Sequence, residues 1–184
     1  MRGAPDGPRR PSAVFLDRDG VINRKAPEGE YVTRWSEFAL LPGALQALRA
    51  LAGAPLAVVV ATNQRGVARG RMTEDDLAAV HARMRTAVRD AGGRIDAVYA
   101  CPHEGGCACR KPAPGLLLRA ARELGLDLGR AALVGDRASD MAAAGAVGAL
   151  RVLVGDADDP PPPADHAAAD LLGATRWLLS LPAR

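Results

Sequence analysis

The stretch AVFLDRDG, residues 13–20, decides the fold: four apolar residues run straight into Asp17, and Asp17 and Asp19 flank one residue before Gly20. A short apolar run of this kind reads as a strand buried on both faces, the type that fills the middle of a parallel sheet. The chain leaves such a strand still extended, so Asp17 and Asp19 point broadly the same way, and Gly20 lets the backbone turn sharply. Two neighbouring carboxylates repel unless a cation or a shared proton relieves them. That suggests Mg²⁺ held by oxygen ligands beside a phosphate, with one carboxylate as nucleophile and the other as general acid/base. A plain turn or a calcium loop is the competing reading. An EF-hand loop needs glycine at its sixth position and a helix before it, whereas Ile22 and the strand-like AVFL stand there.

Outward from this stretch, the chain alternates strands and helices. A second strand is expected over residues 55–61, PLAVVVA, ending at Thr62 and Asn63, with a crossover helix over 44–51 before it. Thr73, followed by Glu74, Asp75 and Asp76, caps a longer helix reaching about Ala91. A third strand over 95–100 leads into a cysteine-rich loop, a helix covers 114–124, and a fourth strand spans 131–134. A helix through Ala144, a fifth strand over 151–154 and a final helix over 174–181 complete the set. Asp156 to Asp165, with its four consecutive prolines, is an irregular loop. This order predicts an α/β fold, a Rossmann-like parallel sheet with helices on both faces, whose ligands bind beyond the carboxyl ends of the strands. Asp17, Thr62, Cys101 and Asp136 all stand at such ends, so four polar clusters are expected to converge on one pocket.

Each cluster carries a chemistry. Thr62 and Asn63 offer a hydroxyl and an amide to a phosphate oxygen, although a turn is the ordinary reading of that pair. Arg65, Gly66, Arg69 and Gly70 form a loop able to approach an anion. Lys111 is one of only two lysines, with Lys25, among 24 basic residues, which suggests a compact ammonium is needed there. Asp136, after Gly135, supplies a further carboxylate for the cation, and Asp140, four residues on, stands behind it as an orienting group. The stretch CPHEGGCACRK, residues 101–111, holds all three cysteines. Cys101, His103, Cys107 and Cys109 can close a tetrahedron around Zn²⁺; with four protein ligands and no open position, that zinc is structural. One disulfide plus a spare thiol is the alternative.

Composition sets outer limits. The chain has 184 residues, 48% of them hydrophobic, enough for one domain with a full core. Residues 1–12, rich in Pro, Gly and Arg, are expected to form a disordered leader, with a single domain over 13–184. The net charge of +3 is modest and aromatics make up 3%, so neither nucleic acid nor a membrane is an expected partner. Unpaired cysteines without a secretory signal point to a reducing cytoplasm, and a monomer is expected.

The motifs FLDRDG at 15–20, TNQRG at 62–66, CRKP at 109–112 and GDRASD at 135–140 resemble the four motifs of haloacid-dehalogenase-type phosphatases. CPH…CxCRKP together with TNQRGVARG is most similar to the heptose 1,7-bisphosphate 7-phosphatase group, and histidinol-phosphate phosphatases share the cysteine loop. The resemblance implies no large cap domain and a Mg-dependent phosphatase acting through a phosphoaspartate on Asp17, with Asp19 as acid and then base. It implies Mg²⁺ on Asp17, the Asp19 carbonyl and Asp136, and Thr62 and Lys111 on the transferring phosphoryl group. Arg110 would recognise the remainder of a small phosphorylated sugar, and Lys25, Asn63, Arg65 and Arg137 would assist. Loops 23–38 and 65–71 and the cysteine loop would enclose the ligand. A short gap between His103 and Cys107 and a long first loop depart from that group, and both bear on substrate choice. A cationic substrate such as histidinol phosphate would instead meet Glu28, Glu30 or Glu104, and a zinc-stapled binding module without turnover is the reading from a different class.

Overall fold

The computed structural model describes residues 7–155 and 161–183. Its strands are β1 (Ala13–Leu16), β2 (Ala57–Asn63), β3 (Ala97–Cys101), β4 (Ala131–Gly135), β5 (Leu150–Val154) and β6 (His166–Ala168), all parallel in the order β3-β2-β1-β4-β5-β6. The helices are α1 (Ala44–Ala52), α2 (Glu74–Asp90), α3 (Gly115–Leu124), α4 (Ala138–Ala146) and α5 (Leu171–Ser180). The sheet grows from β1 toward β2 and β3, then resumes on the other side of β1 with β4. The crevice at that reversal, between the ends of β1 and β4, is where such a fold binds its ligand.

The period of two along β1 separates two cores. Val14 and Leu16 pack with Val58, Val60 and the buried faces of α1, α2 and α5. Ala13 and Phe15 pack with Val59, Ala61, α3 and α4 on the opposite face. Both layers hide the central strands completely, so the continuous apolar runs read from the sequence correspond to strands covered twice. Thr73 caps α2 with a reciprocal pair of bonds: its hydroxyl accepts from Asp76 N–H at 3.0 Å, and the Asp76 carboxylate accepts from Thr73 N–H at 2.9 Å.

Boundaries shift where local chemistry outweighs periodicity. β2 starts at Ala57, because Pro55 has no N–H for a ladder, and runs on through Thr62 and Asn63, which pair with Ala100 and Cys101. Thr62 and Asn63 therefore close a strand and do not begin a turn. α5 begins at Leu171, where the Asp170 side chain accepts from Gly173 N–H at 2.7 Å, and not at Ala174. β6 has no counterpart in the sequence reading: Asp165, placed there at the end of a loop, accepts from Arg151 N–H at 2.8 Å and starts the pairing with β5. The first part of that loop, residues 156–160, lies outside the described residues, as do residues 1–6 of the expected leader. Order begins before Ala13, since Pro11 is buried and Arg10 N–H donates to the Pro182 carbonyl at 3.0 Å. No helix among the described residues is long and apolar enough to cross a membrane.

Candidate active site

The turns after β1 and β4 bring three carboxylates together: oxygens of Asp17, Asp136 and Asp140 lie within 4.8 Å of one another. Gly20, at φ 89°, permits this approach, because a side chain there would collide with the Asp136 carboxylate and the Lys25 stem. Burial pushes the Asp17 carboxyl above its usual range; Lys111 pulls it down, and Asp140 and Asp19 push it up again. Burial likewise raises Asp136, against an ion pair with Lys25, and Asp17 adds to the rise. Asp136 Oδ1 is buried with no hydrogen-bond partner. A crowded set of hard oxygens with a spare buried lone pair fits a small divalent cation such as Mg²⁺.

Lys111 is the buried counter-charge. Its ammonium donates to Asp17 Oδ1 at 3.0 Å and to the Ala61 carbonyl at 2.7 Å, and pairs with Asp140 Oδ1 at 2.6 Å. Burial alone would lower its pKa, but the two carboxylates outweigh that and raise it, so it stays protonated. Asn63 positions it through the backbone: Asn63 Nδ2 donates to the Lys111 carbonyl and Lys111 N–H donates to Asn63 Oδ1, both at 3.0 Å. The Asn63 amide is thus committed to Lys111. Asp140 also accepts from Arg137 N–H at 3.1 Å, fixing the start of α4.

Asp19 is clamped from three sides. The Arg18 Nη2 donates to both its oxygens at 2.9 Å, Asn23 Nδ2 to Oδ1 at 2.8 Å, and Gln64 Nε2 to Oδ2 at 2.7 Å. Burial would raise its pKa, yet the Arg18 charge and these bonds prevail and hold it below the usual carboxylate range. Gln64 also donates to the Thr62 hydroxyl at 3.0 Å, and Thr62 lies 1% exposed, beside the cavity and not in its wall. Arg18, His81 and Gln64 were not singled out from the sequence. The signals were the residue between two aspartates, which strand alternation aims into the interior, and a histidine in the apolar stripe of α2 beside Val80 and Met84.

A cavity of about 610 Å³ opens above these groups, lined by Asp17, Asp19, Lys111 and Asp140 at its floor and by Lys25, Arg65, Arg110 and Arg137 around it. Residues 25–32 of the first loop form one wall. That loop locks onto the second, since Tyr31 lies against Gly66 so closely that a Cβ there would sit 2.9 Å from the ring. The second loop is tied to the cysteine loop: Arg69 donates through Nε and Nη2 to Glu104, at 2.9 and 2.7 Å, and Ala68 N–H donates to the Pro102 carbonyl at 3.1 Å. Arg69 is therefore committed to Glu104, and Arg65 stands 3.6 Å from the same carboxylate. Of the expected anion-binding groups, Lys25 is paired with Asp136, while Arg110 donates to the His103 carbonyl at 3.3 Å, and Arg137 lines the cavity as the N-cap of α4.

At the end of β3, Cys101, His103, Cys107 and Cys109 gather with no disulfide among them. Cys109 Sγ is 3.0 Å from Cys101 Sγ, 3.3 Å from Cys107 Sγ and 3.2 Å from His103 Nδ1. Burial opposes ionisation of Cys107, but hydrogen bonds from Cys109 and the Arg110 backbone hold its thiol down at about 6. Burial and the neighbouring sulfurs push Cys109 up to about 12, so the three thiols do not ionise together without a cation. This soft donor set is compatible with Zn²⁺.

A HAD-hydrolase-like family profile matches residues 108–174. The D-glycero-beta-D-manno-heptose-1,7-bisphosphate 7-phosphatase of Bordetella bronchiseptica is 43% identical over 143 residues, covering 77% of this chain and 79% of its own. The corresponding alpha-heptose enzyme of Mycobacterium tuberculosis is 45% identical over 107 residues, 57% of this chain and 56% of its own. In three dimensions, the B. bronchiseptica heptose bisphosphate phosphatase complexed with magnesium and phosphate superposes with a TM-score of 0.82 at 37% identity, covering 91% of this chain and 98% of that one. With the fold, the carboxylate cluster and these likenesses in agreement, the chain belongs to the heptose-bisphosphate phosphatase family, phosphoric monoester hydrolases of the haloacid-dehalogenase type.

Proposed function

We propose that this chain removes the 7-phosphate of D-glycero-D-manno-heptose 1,7-bisphosphate in a Mg²⁺-dependent reaction. The observation that carries the reading is the meeting of Asp17, Asp136 and Asp140 over Lys111 at the floor of a cavity rimmed by cationic side chains. Asp17, Asp136 and the Asp19 backbone carbonyl would hold Mg²⁺. When bound, that ion neutralises charge on the phosphoryl oxygens.

Asp17 attacks phosphorus in line, its oxygen forming the new P–O bond as the bond to the sugar oxygen breaks. Lys111 opposes the rise that burial imposes on the Asp17 carboxyl, favouring the ionised nucleophile, and meets the transferring group from the same side. Asp19 gives a proton to the departing sugar oxygen. It then takes one from the water that attacks the phosphoaspartate, releasing phosphate and restoring Asp17. The lowered pKa of Asp19 leaves it ionised at rest, the state that can accept a proton, and the incoming phosphate dianion offsets the Arg18 charge and favours the proton needed first. Thr62 acts from behind through Gln64, and Arg110 and Arg137 take the non-reacting phosphate, with Arg65 beside them. Lys25, which pairs with Asp136, lines the same cavity and would add to that cationic rim.

The cysteine loop would carry a structural Zn²⁺ that holds Arg110 and Lys111 at the rim, with all four positions filled by protein. A single domain acting as a soluble cytoplasmic monomer on a small sugar phosphate is consistent with this reading. One observation favours a second substrate: Glu28 and Glu30 also line the cavity and would suit a cationic amine such as that of histidinol phosphate. The test is kcat/KM with Mg²⁺ for both compounds. The heptose bisphosphate is expected to lead by at least about tenfold; a lead for histidinol phosphate reverses the assignment, and turnover of neither removes it.

A further inference from the structure

Arg18 is the largest fully buried side chain among the described residues. Burying a guanidinium is costly unless its donors are met, and here they are met by two groups from distant parts of the chain. Nη2 serves Asp19, as described, and Nη1 lies 3.2 Å from Nε2 of His81 on α2. An arginine only donates. Nε2 must therefore be the lone-pair nitrogen, and His81 is neutral. Burial first, and the Arg18 charge second, hold His81 down at about 4, in agreement with that contact. The Phe38 ring covers the guanidinium at 5.9 Å. A histidine in the apolar stripe of a helix is commonly a core residue with a satisfied ring; this one instead meets the cation that chelates the acid/base carboxylate.

We propose that His81 is a positioning residue for catalysis: through Nε2 it fixes the plane of the Arg18 guanidinium, and Arg18 in turn aims the Asp19 carboxylate at the leaving oxygen. The role rests on Asp19 being the acid/base, as assigned above. Without the Nε2 acceptor, the guanidinium is free to tilt about its remaining contacts, and Asp19, gripped through it, tilts too.

The test uses the ratio of kcat/KM for the best sugar phosphate to that for p-nitrophenyl phosphate. Up to leaving-group departure, a sugar alkoxide needs the proton of Asp19, and p-nitrophenolate does not. A loss of general structure lowers both values alike; a misaimed acid lowers only the first. His81→Leu is expected to reduce the ratio by about tenfold or more, a fraction of what a general acid supplies. His81→Gln, whose amide oxygen reaches the place of Nε2, is expected to restore it to within a few fold. His81→Asn, too short to reach, behaves as His81→Leu and replaces it should the leucine variant not fold. An unchanged ratio in the leucine and asparagine variants, or loss of folding in all three, overturns the positioning role. A wild-type protein that hydrolyses neither compound overturns the assigned function itself.

Discussion

Two clusters of cation-seeking side chains share one edge of the sheet, and they differ in almost every respect. At the ends of β1 and β4 the donors are carboxylates, buried, repelling one another, and tempered by lysines that also face the cavity. At the end of β3 the donors are thiols and an imidazole, partly exposed and turned toward one another. The first cluster keeps a buried oxygen without a partner, whereas the second has four donors to fill four positions. A scaffold can place two metals about one pocket without confusing them, because oxygen and sulfur donors select hard and soft ions by chemistry alone. On the proposed function, the reactive site is the one left incomplete.

The contrast is sharpest at Asp17. Asp17→Asn is expected to lower kcat by at least about 10³-fold while circular dichroism stays unchanged; turnover near the wild-type rate would place the chemistry elsewhere. Lys111→Met comes next, with about 10²-fold or more off kcat/KM. It also removes about 3–5 kcal/mol of stability, since Asp17 and Asp140 become unpaired buried carboxylates. A urea midpoint at or above that of the wild type would show that the pair is dispensable. In the sulfur cluster the order of effects inverts: Cys107→Ser is expected to release stoichiometric zinc, measured by atomic absorption, and to lower Tm by several degrees. Hydrolysis of p-nitrophenyl phosphate should fall far less than in Asp17→Asn. Total loss of turnover in a folded Cys107→Ser protein would erase the distinction between the two clusters.

A pH titration adds a finer test. Unfolded His81 takes a proton near its ordinary pKa of 6.5, and the folded one only near 4, so below about 6.5 the unfolded chain binds more protons. Stability is expected to fall by roughly 3 kcal/mol as pH drops from 6.5 to 4 on this account alone, and to lose nothing more from His81 below that. His81→Gln should flatten that window in urea melts; an unchanged slope assigns the loss to other groups. The smallest effect is expected at the rim, where Glu104→Gln frees Arg69 and changes KM by a few fold with kcat nearly constant.

Much of this was legible in the sequence because apolar runs ending on charge mark both the strand and its functional end. Asp17 and Asp136 converge as the alternation of elements predicts, whereas Thr62 and Cys101 stay out of the cavity wall and send Asn63 and Lys111 there instead; the four zinc-type donors lie within eleven residues of chain. What stayed hidden depends on partners remote in sequence. Nothing near Arg18 announces a histidine 63 positions on, and Asn63 looked like a phosphate donor until its amide met the Lys111 backbone. β6 escaped because three residues after a run of prolines are too few to show a period. The leader was assigned by composition, which does not register Pro11 burying itself against the fold.

The two bonds between Asn63 and Lys111 have a consequence for rebuilding this protein. The Asn63 carboxamide turns one of its N–H groups and its oxygen to the carbonyl and N–H of residue 111, so it grips that backbone as a neighbouring strand would, whatever side chain the residue carries. It works as a coupling between two interchangeable parts. A loop that replaced residues 102–109 would have to return to that coupling for the lysine to arrive over the aspartate. Aspartate at position 63 would face carbonyl with carboxylate and uncouple them.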